Sequence, residues 1–122
     1  MDKFTTDCRL CPRLASFLDE VRLAQPGYFA KPVPSFGEAG TSLLIVGLAP
    51  GMHGANRTGR PFTGDYAGDL LYSTLHKYWL ATAAEPLDAK KQANPKLTLK
   101  GCRITNAVRC LPPQNKPEPA EI

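Results

Sequence analysis

The chain is short of several things. No apolar run approaches the length that a membrane-spanning helix needs, so no helical membrane span is predicted. The first residues, Met-Asp-Lys-Phe-Thr-Thr-Asp-Cys, contain no apolar signal segment, which predicts a cytoplasmic protein, in a bacterial or archaeal cytosol. There are only two histidines, so a histidine-rich metal site is excluded. One tryptophan and an aromatic content of 8% leave few rings for stacking, so each ring near a polar loop counts. Four cysteines in a reducing compartment point to a metal or cluster more than to disulfides.

Proline and glycine, by contrast, are plentiful: twelve and ten in 122 residues, which predicts long, shaped loops in one modest domain spanning residues 1–122. The net charge of +4 is compatible with a polyanionic partner, although many soluble proteins are this basic.

The apolar stretch Ser42–Val46 reads as a short buried strand. It runs into Gly47-Leu-Ala-Pro-Gly-Met-His-Gly-Ala-Asn-Arg-Thr-Gly-Arg-Pro-Phe-Thr-Gly-Asp65, where five glycines separate His53, Asn56, Arg57, Arg60, Phe62 and Asp65. A glycine-rich loop at the carboxyl end of a strand is where open α/β sheets place their active sites. Within residues 7–25, Cys8-x-x-Cys11-Pro is followed by a helical pattern of Leu14, Phe17, Leu18, Val21 and Leu23, which Pro26-Gly27 ends. A second is expected over residues 67–81, with Leu70, Leu71, Thr74, Leu75, Tyr78 and Trp79 on its core stripe. A second strand is expected over residues 101–109, and residues 82–100 read as polar and irregular. The start of a helix at Pro119, three residues before Ile122, suggests a chain cut short at its carboxyl end.

Cys8 and Cys11 have the two-residue spacing that brings two sulfurs to one metal. A thioredoxin-like redox pair is the rival reading, weakened because no strand precedes it. Cys102 reads better as a small buried hydrophobe than as a ligand, because eight residues of strand separate it from Cys110.

Together, Cys8-x-x-Cys11-Pro-Arg-Leu, Gly47-Leu-Ala-Pro-Gly51, Gly54-Ala-Asn-Arg-Thr-Gly-Arg-Pro-Phe-Thr-Gly-Asp65 and Thr105-Asn-Ala-Val-Arg-Cys-Leu-Pro-Pro-Gln-Asn-Lys-Pro117 resemble the iron–sulfur uracil-DNA glycosylases. Leu48, where family 4 usually carries glutamate, makes the chain more similar to family 5, or type B. The resemblance implies an α/β fold: a three-layer α/β/α sandwich with a short, mostly parallel central sheet, incomplete at the carboxyl end. It also implies excision of uracil, or other deaminated bases, from DNA by base flipping, in a monomer. The implied [4Fe–4S] cluster is held by Cys8, Cys11 and Cys110, with a fourth cysteine and a His-Pro-Ser segment expected past Ile122.

In that reading Asp65 activates water and stabilises the sugar cation, and it also has the position of a helix N-cap. Asn106 is the second catalytic candidate and reads the edge of the base. Gly47, Leu48, Ala49, Gly51, His53 and Phe62 complete the base site, Phe62 by stacking. Arg57, Arg60, Arg109 and Lys116 are phosphate candidates, each of which alone reads as a solvated charge. The alternative function is a catalytically incomplete iron–sulfur or zinc module that binds nucleic acid.

Overall fold

A computed structural model describes residues 4–122. The first helix, α1 (Pro12–Ala24), begins with proline at a position where its missing N–H costs nothing, and it ends at Gln25 before Pro26. It buries Leu14, Ala15, Leu18 and Val21, while Leu23 points to solvent. Leu18 and Val21 pack with Ala30 and Leu111, and Phe17, Tyr28, Met52 and Cys110 close around them. One small core therefore joins the N-terminal helix, the start of the glycine loop and the segment after the last strand.

The sheet has three strands: β1 (Phe36–Gly37), β2 (Leu43–Gly47) and β3 (Cys102–Asn106), in the order β1-β3-β2. β2 and β3 are parallel, with Ile45 opposite Ile104 and Gly47 opposite Asn106, whereas β1 pairs antiparallel to β3. The α/β class expected from the sequence holds, and the sheet is mixed. A two-residue strand just after Pro32 and Pro34 gives no periodic signal, so β1 was not visible in the sequence. The register sets the functional geometry: β2 and β3 end side by side, so the glycine loop leaves the sheet next to Asn106.

Between them lie a single turn of helix, α2 (Ala55–Thr58), and α3 (Tyr66–Lys77). α3 packs Tyr72 and Leu75 against Leu97, Leu99, Cys102 and Ile104. Cys102 is wholly buried in this second core, as its reading as a small hydrophobe requires. The expected stripe on α3 needs correction. Leu70, Tyr78 and Trp79 are exposed, and the helix stops at Lys77. The buried face runs through Tyr72, whose hydroxyl donates to the Pro61 carbonyl at 2.7 Å and so can be buried without cost to its polar end.

Residues 82–100 are irregular as expected, pinned by the pairings Ala81–Leu99 and Leu87–Ala93. The segment after β3 makes two 3-10 turns, Pro113–Asn115 and Pro119–Glu121, the second where a helix start was expected. No helix among the described residues is long and apolar enough to cross a membrane.

Candidate active site

Where β2 and β3 end, the chain encloses a cleft of about 140 Å³ lined by Gly47, Leu48, Ala49, Pro50, Gly51, Ala55, Phe62, Thr63, Asp65 and Asn106. This is well below the roughly 300–1,000 Å³ of sites for drug-sized ligands, and it suits a single flat ring. Seven sequence-predicted residues thus meet around one space. His53 does not join them: its Nδ1 lies 2.7 Å from the Tyr28 hydroxyl, edge-on to that ring, on the exposed side of the loop. Its imidazole ties the loop to the segment after α1.

The cleft exists because the loop folds back on itself at contacts only glycine allows. A Cβ on Gly47 would stand 2.5 Å from both Asn106 Oδ1 and Phe62 Cζ. The ring and the amide therefore converge over a bare backbone. At Gly68 a Cβ would collide with the Phe62 carbonyl, so the first turn of α3 rests directly on the turn that carries the phenylalanine. Phe62 itself has a φ of +58°, a conformation that a bulky side chain adopts only when its surroundings impose it.

Thr63 was not singled out from the sequence. It is buried, and its hydroxyl lies 2.6 Å from Thr58 Oγ1 and donates to the Arg60 carbonyl at 3.0 Å. These bonds fasten the Phe62–Asp65 turn to α2. The only sequence signal was a hydroxyl residue just before the Gly-Asp pair.

Asp65 sits in extended backbone at the N-cap of α3, and its Oδ1 accepts the Gly68 N–H at 2.8 Å. Asp65 as a residue is exposed, and it lines the cleft. Asn106 is buried at the end of β3, whereas Asp65 is exposed. A solvent-facing carboxylate and an enclosed amide on either side of a ring-lined slot can hold a planar heterocycle and present an anion to what is attached to it.

The candidate phosphate ligands divide. Arg60 is structural rather than solvated: its guanidinium lies 4.2 Å from the Phe36 ring centre, donates to the Asn94 carbonyl at 2.7 Å, and has its pKa lowered by burial. Arg57 donates to the His53 carbonyl at 2.9 Å, and Arg109 stacks 4.2 Å over Phe4.

Cys8, Cys11 and Cys110 are partly exposed and carry free thiols. Burial, and then the neighbouring Cys8 and Cys11, push the Cys110 thiol up to about 11, so the three sulfurs share one neighbourhood. They do not form a group tight enough to hold a single metal ion among the described residues. A multi-iron cluster is bulkier than one ion and keeps its ligand sulfurs further apart. An all-sulfur donor set is the kind that iron–sulfur clusters and zinc take. Arg13 frames this neighbourhood: it donates to Glu121 at 2.7 and 2.9 Å and to the Lys116 carbonyl at 3.0 Å, holding the segment after Cys110 against the helix that follows Cys11.

The cleft therefore lies at the ends of two parallel strands and brings together the Phe62 ring, the Asp65 carboxylate and the Asn106 amide. The chain belongs to the uracil DNA glycosylase superfamily, whose family model matches residues 34–122. It is similar to the type-5 uracil-DNA glycosylase of Thermus thermophilus, at 49% identity over 96% of this chain and 53% of that protein. It is also similar to those of Mycobacterium bovis, at 48% over 93% and 43%, and of Pyrobaculum aerophilum, at 36% over 95% and 51%. The chain spans about half the length of these relatives.

Proposed function

We propose that the chain carries the base-binding half of a uracil-DNA glycosylase, residues 1–122 forming part of one domain of that fold. The substrate is uracil, or another deaminated base, in DNA. The observation that carries this reading is the meeting of Phe62, Asn106 and Asp65 around one small cleft.

The target nucleotide must leave the stack before its glycosidic bond can be reached. In the cleft its ring lies against Phe62, and the Asn106 amide offers a donor and an acceptor to its Watson–Crick edge. As the bond breaks, its electron pair leaves with the base and positive charge develops on the sugar. The Asp65 carboxylate at the rim stabilises that charge and orients a water whose oxygen bonds to the anomeric carbon. Backbone groups of Gly47 to Gly51 face the base and polarise its carbonyl oxygens.

Cys8, Cys11 and Cys110 are the residues that would hold a [4Fe–4S] cluster. When bound, the cluster supplies a crosslink between the N-terminus and the segment after Asn106, and no redox step in excision. Losing a ligand would therefore lower stability first.

The test is incubation of the whole natural protein that carries this chain with a duplex oligonucleotide containing one uracil, followed by alkali. Strand scission at the uracil is the expected result. Binding without any alkali-labile product would overturn the enzymatic reading in favour of a nucleic-acid-binding module.

A further inference from the structure

Phe62, the ring that walls the base cleft, stands where a chain normally places glycine. The backbone turns at Pro61 and Phe62, and Phe62 has a φ of +58°. Proline followed by a residue at positive φ is the pattern of a type II turn, whose third residue is usually glycine or asparagine. A type I turn fits the same four residues with a negative φ at the third, which a bulky side chain prefers. The two turns differ by a flip of the peptide between their second and third residues. Here that peptide joins Pro61 to Phe62, so the direction of the Pro61 carbonyl decides which turn forms.

Three contacts hold the turn. The Arg60 carbonyl accepts from the Thr63 hydroxyl at 3.0 Å, the Phe62 carbonyl lies against Gly68, and the Pro61 carbonyl accepts from the Tyr72 hydroxyl at 2.7 Å. Of the three, the Tyr72 bond alone is made to the peptide that flips. The strain of a bulky residue at positive φ and the net worth of one hydrogen bond are of the same order. One bond can therefore decide the turn.

Tyr72 is well placed for this duty. It is wholly buried and packs edge-on to Phe36, with ring centres 6.2 Å apart, so the core fixes where its hydroxyl stands. Burial raises its pKa, which keeps the hydroxyl a donor. It belongs to α3, whose N-cap is Asp65, so one helix sets both the ring and the carboxylate of the cleft. Tyr72 is not itself part of the cleft lining, and it reaches a bound base only through Phe62.

We propose that Tyr72 is a positioning residue whose hydroxyl latches the Pro61–Phe62 peptide in the orientation that keeps the Phe62 ring over Gly47. The consequence for base binding rests on the function proposed above, whereas the latch rests on the geometry alone. The test uses the whole natural protein that carries this chain and its variant Tyr72→Phe, which keeps the ring and removes one oxygen. Pro-Phe occurs once in the chain, so proline labelled with carbon-13 at the carbonyl and phenylalanine labelled with nitrogen-15 select this peptide by NMR. Its signal is assigned by its loss in Phe62→Leu. The Pro61 Hα lies close to the Phe62 N–H in a type II turn and far from it in type I. The nuclear Overhauser effect between them is expected to be strong in the parent and weak in Tyr72→Phe. Thr63→Val, which loses a bond to a peptide that does not flip, should keep it strong.

Tyr72→Phe should also weaken binding of free uracil about fivefold, the factor that one net hydrogen bond is worth. In a Phe62→Ala background the same change should have no further effect, because the two residues act as one unit. The pH profile of excision should keep its shape. Four results would each overturn the proposal: an equally strong Overhauser effect in Tyr72→Phe, its equal loss in Thr63→Val, the same weakening of uracil binding with and without the Phe62 ring, or a changed pH profile. A Tyr72→Phe protein that does not fold would likewise make the hydroxyl a support of the core and no latch. If the parent neither binds uracil nor excises it, the base-site reading fails, and the Overhauser comparison still decides the latch.

Discussion

The Asp65 carboxylate and the Gly68 N–H are joined by a 2.8 Å hydrogen bond, so the side chain placed at the mouth of the base cleft is also the cap of α3. The same carboxylate thus has two duties, the cap of the helix and a place in the lining of the cleft. This division of labour separates stability from chemistry experimentally. Asparagine caps a helix about as well as aspartate, whereas alanine loses about 1 kcal/mol. Asp65→Asn is therefore expected to melt close to the parent yet lose at least about 100-fold in excision rate, the scale on which positioned charge acts. Asp65→Ala should lose both. Thermal denaturation beside single-turnover excision checks this, and an Asp65→Asn protein with parental rates would remove Asp65 from the chemistry.

Gly47 is the point at which the cleft is most easily closed. Alanine there would force its Cβ into Phe62 and Asn106, both held from behind. Overpacking of this kind costs about 1–3 kcal/mol. Gly47→Ala should destabilise by that amount and weaken binding of free uracil more than binding of undamaged DNA. Isothermal titration with each ligand tests it; equal weakening of both would mean that the loop, not the cleft, had been damaged.

The main outlines were legible in the sequence because they rest on local rules. A run of branched residues into a glycine loop marked β2, although Leu43, Leu44 and Val46 are exposed where a buried strand was expected; the spacing of apolar residues marked α3 but not its buried face, and the Gly-Asp pair before it marked the cap. What was not legible depends on contacts between distant segments. Arg60 reads as a solvated cation until Phe36 and Asn94 are brought to it from opposite sides in sequence. His53 sits in the motif, yet Tyr28, twenty-five residues away in sequence, draws it out of the cleft. β1 exists only because β3 offers it an edge, and the exposure of Trp79 follows from a cap that no hydrophobic period encodes.

The cysteines divide by location. Cys8→Ser, Cys11→Ser and Cys110→Ser are each expected to lower the iron and sulfide content of protein purified without air. Cys102→Ser should leave metal content unchanged and lower the melting temperature, because it puts a hydroxyl among Tyr72, Leu97 and Ile104. Elemental analysis together with a melt distinguishes the two classes. Loss of metal on changing Cys102 would make it a ligand and contradict its burial in the core of α3 and β3.

Arg13 and Glu121 link α1 to the last turn, and the pair should respond to acid. The Arg13 guanidinium holds the Glu121 carboxyl below its ordinary value, with the Glu118 backbone N–H adding to the effect. A carboxylate whose pKa is lower when folded than when unfolded contributes fully above its unfolded value, near 4.5, and the contribution fades as pH falls through the folded one. Glu121 also accepts from the Glu118 N–H at 2.8 Å, so its protonation loosens the turn as well as the ion pair. Hydrogen exchange over residues 116–122 is expected to be slow at pH 7 relative to Arg13→Ala, after correction for intrinsic rates. The two proteins should converge as the pH drops below about 4, where carboxylates lose their charge. Because Arg13 also holds the Lys116 carbonyl, the variant should mobilise the whole segment beyond Cys110. Identical exchange in the two proteins at pH 7 would show that the turn is held by its prolines, and that the ion pair only decorates it.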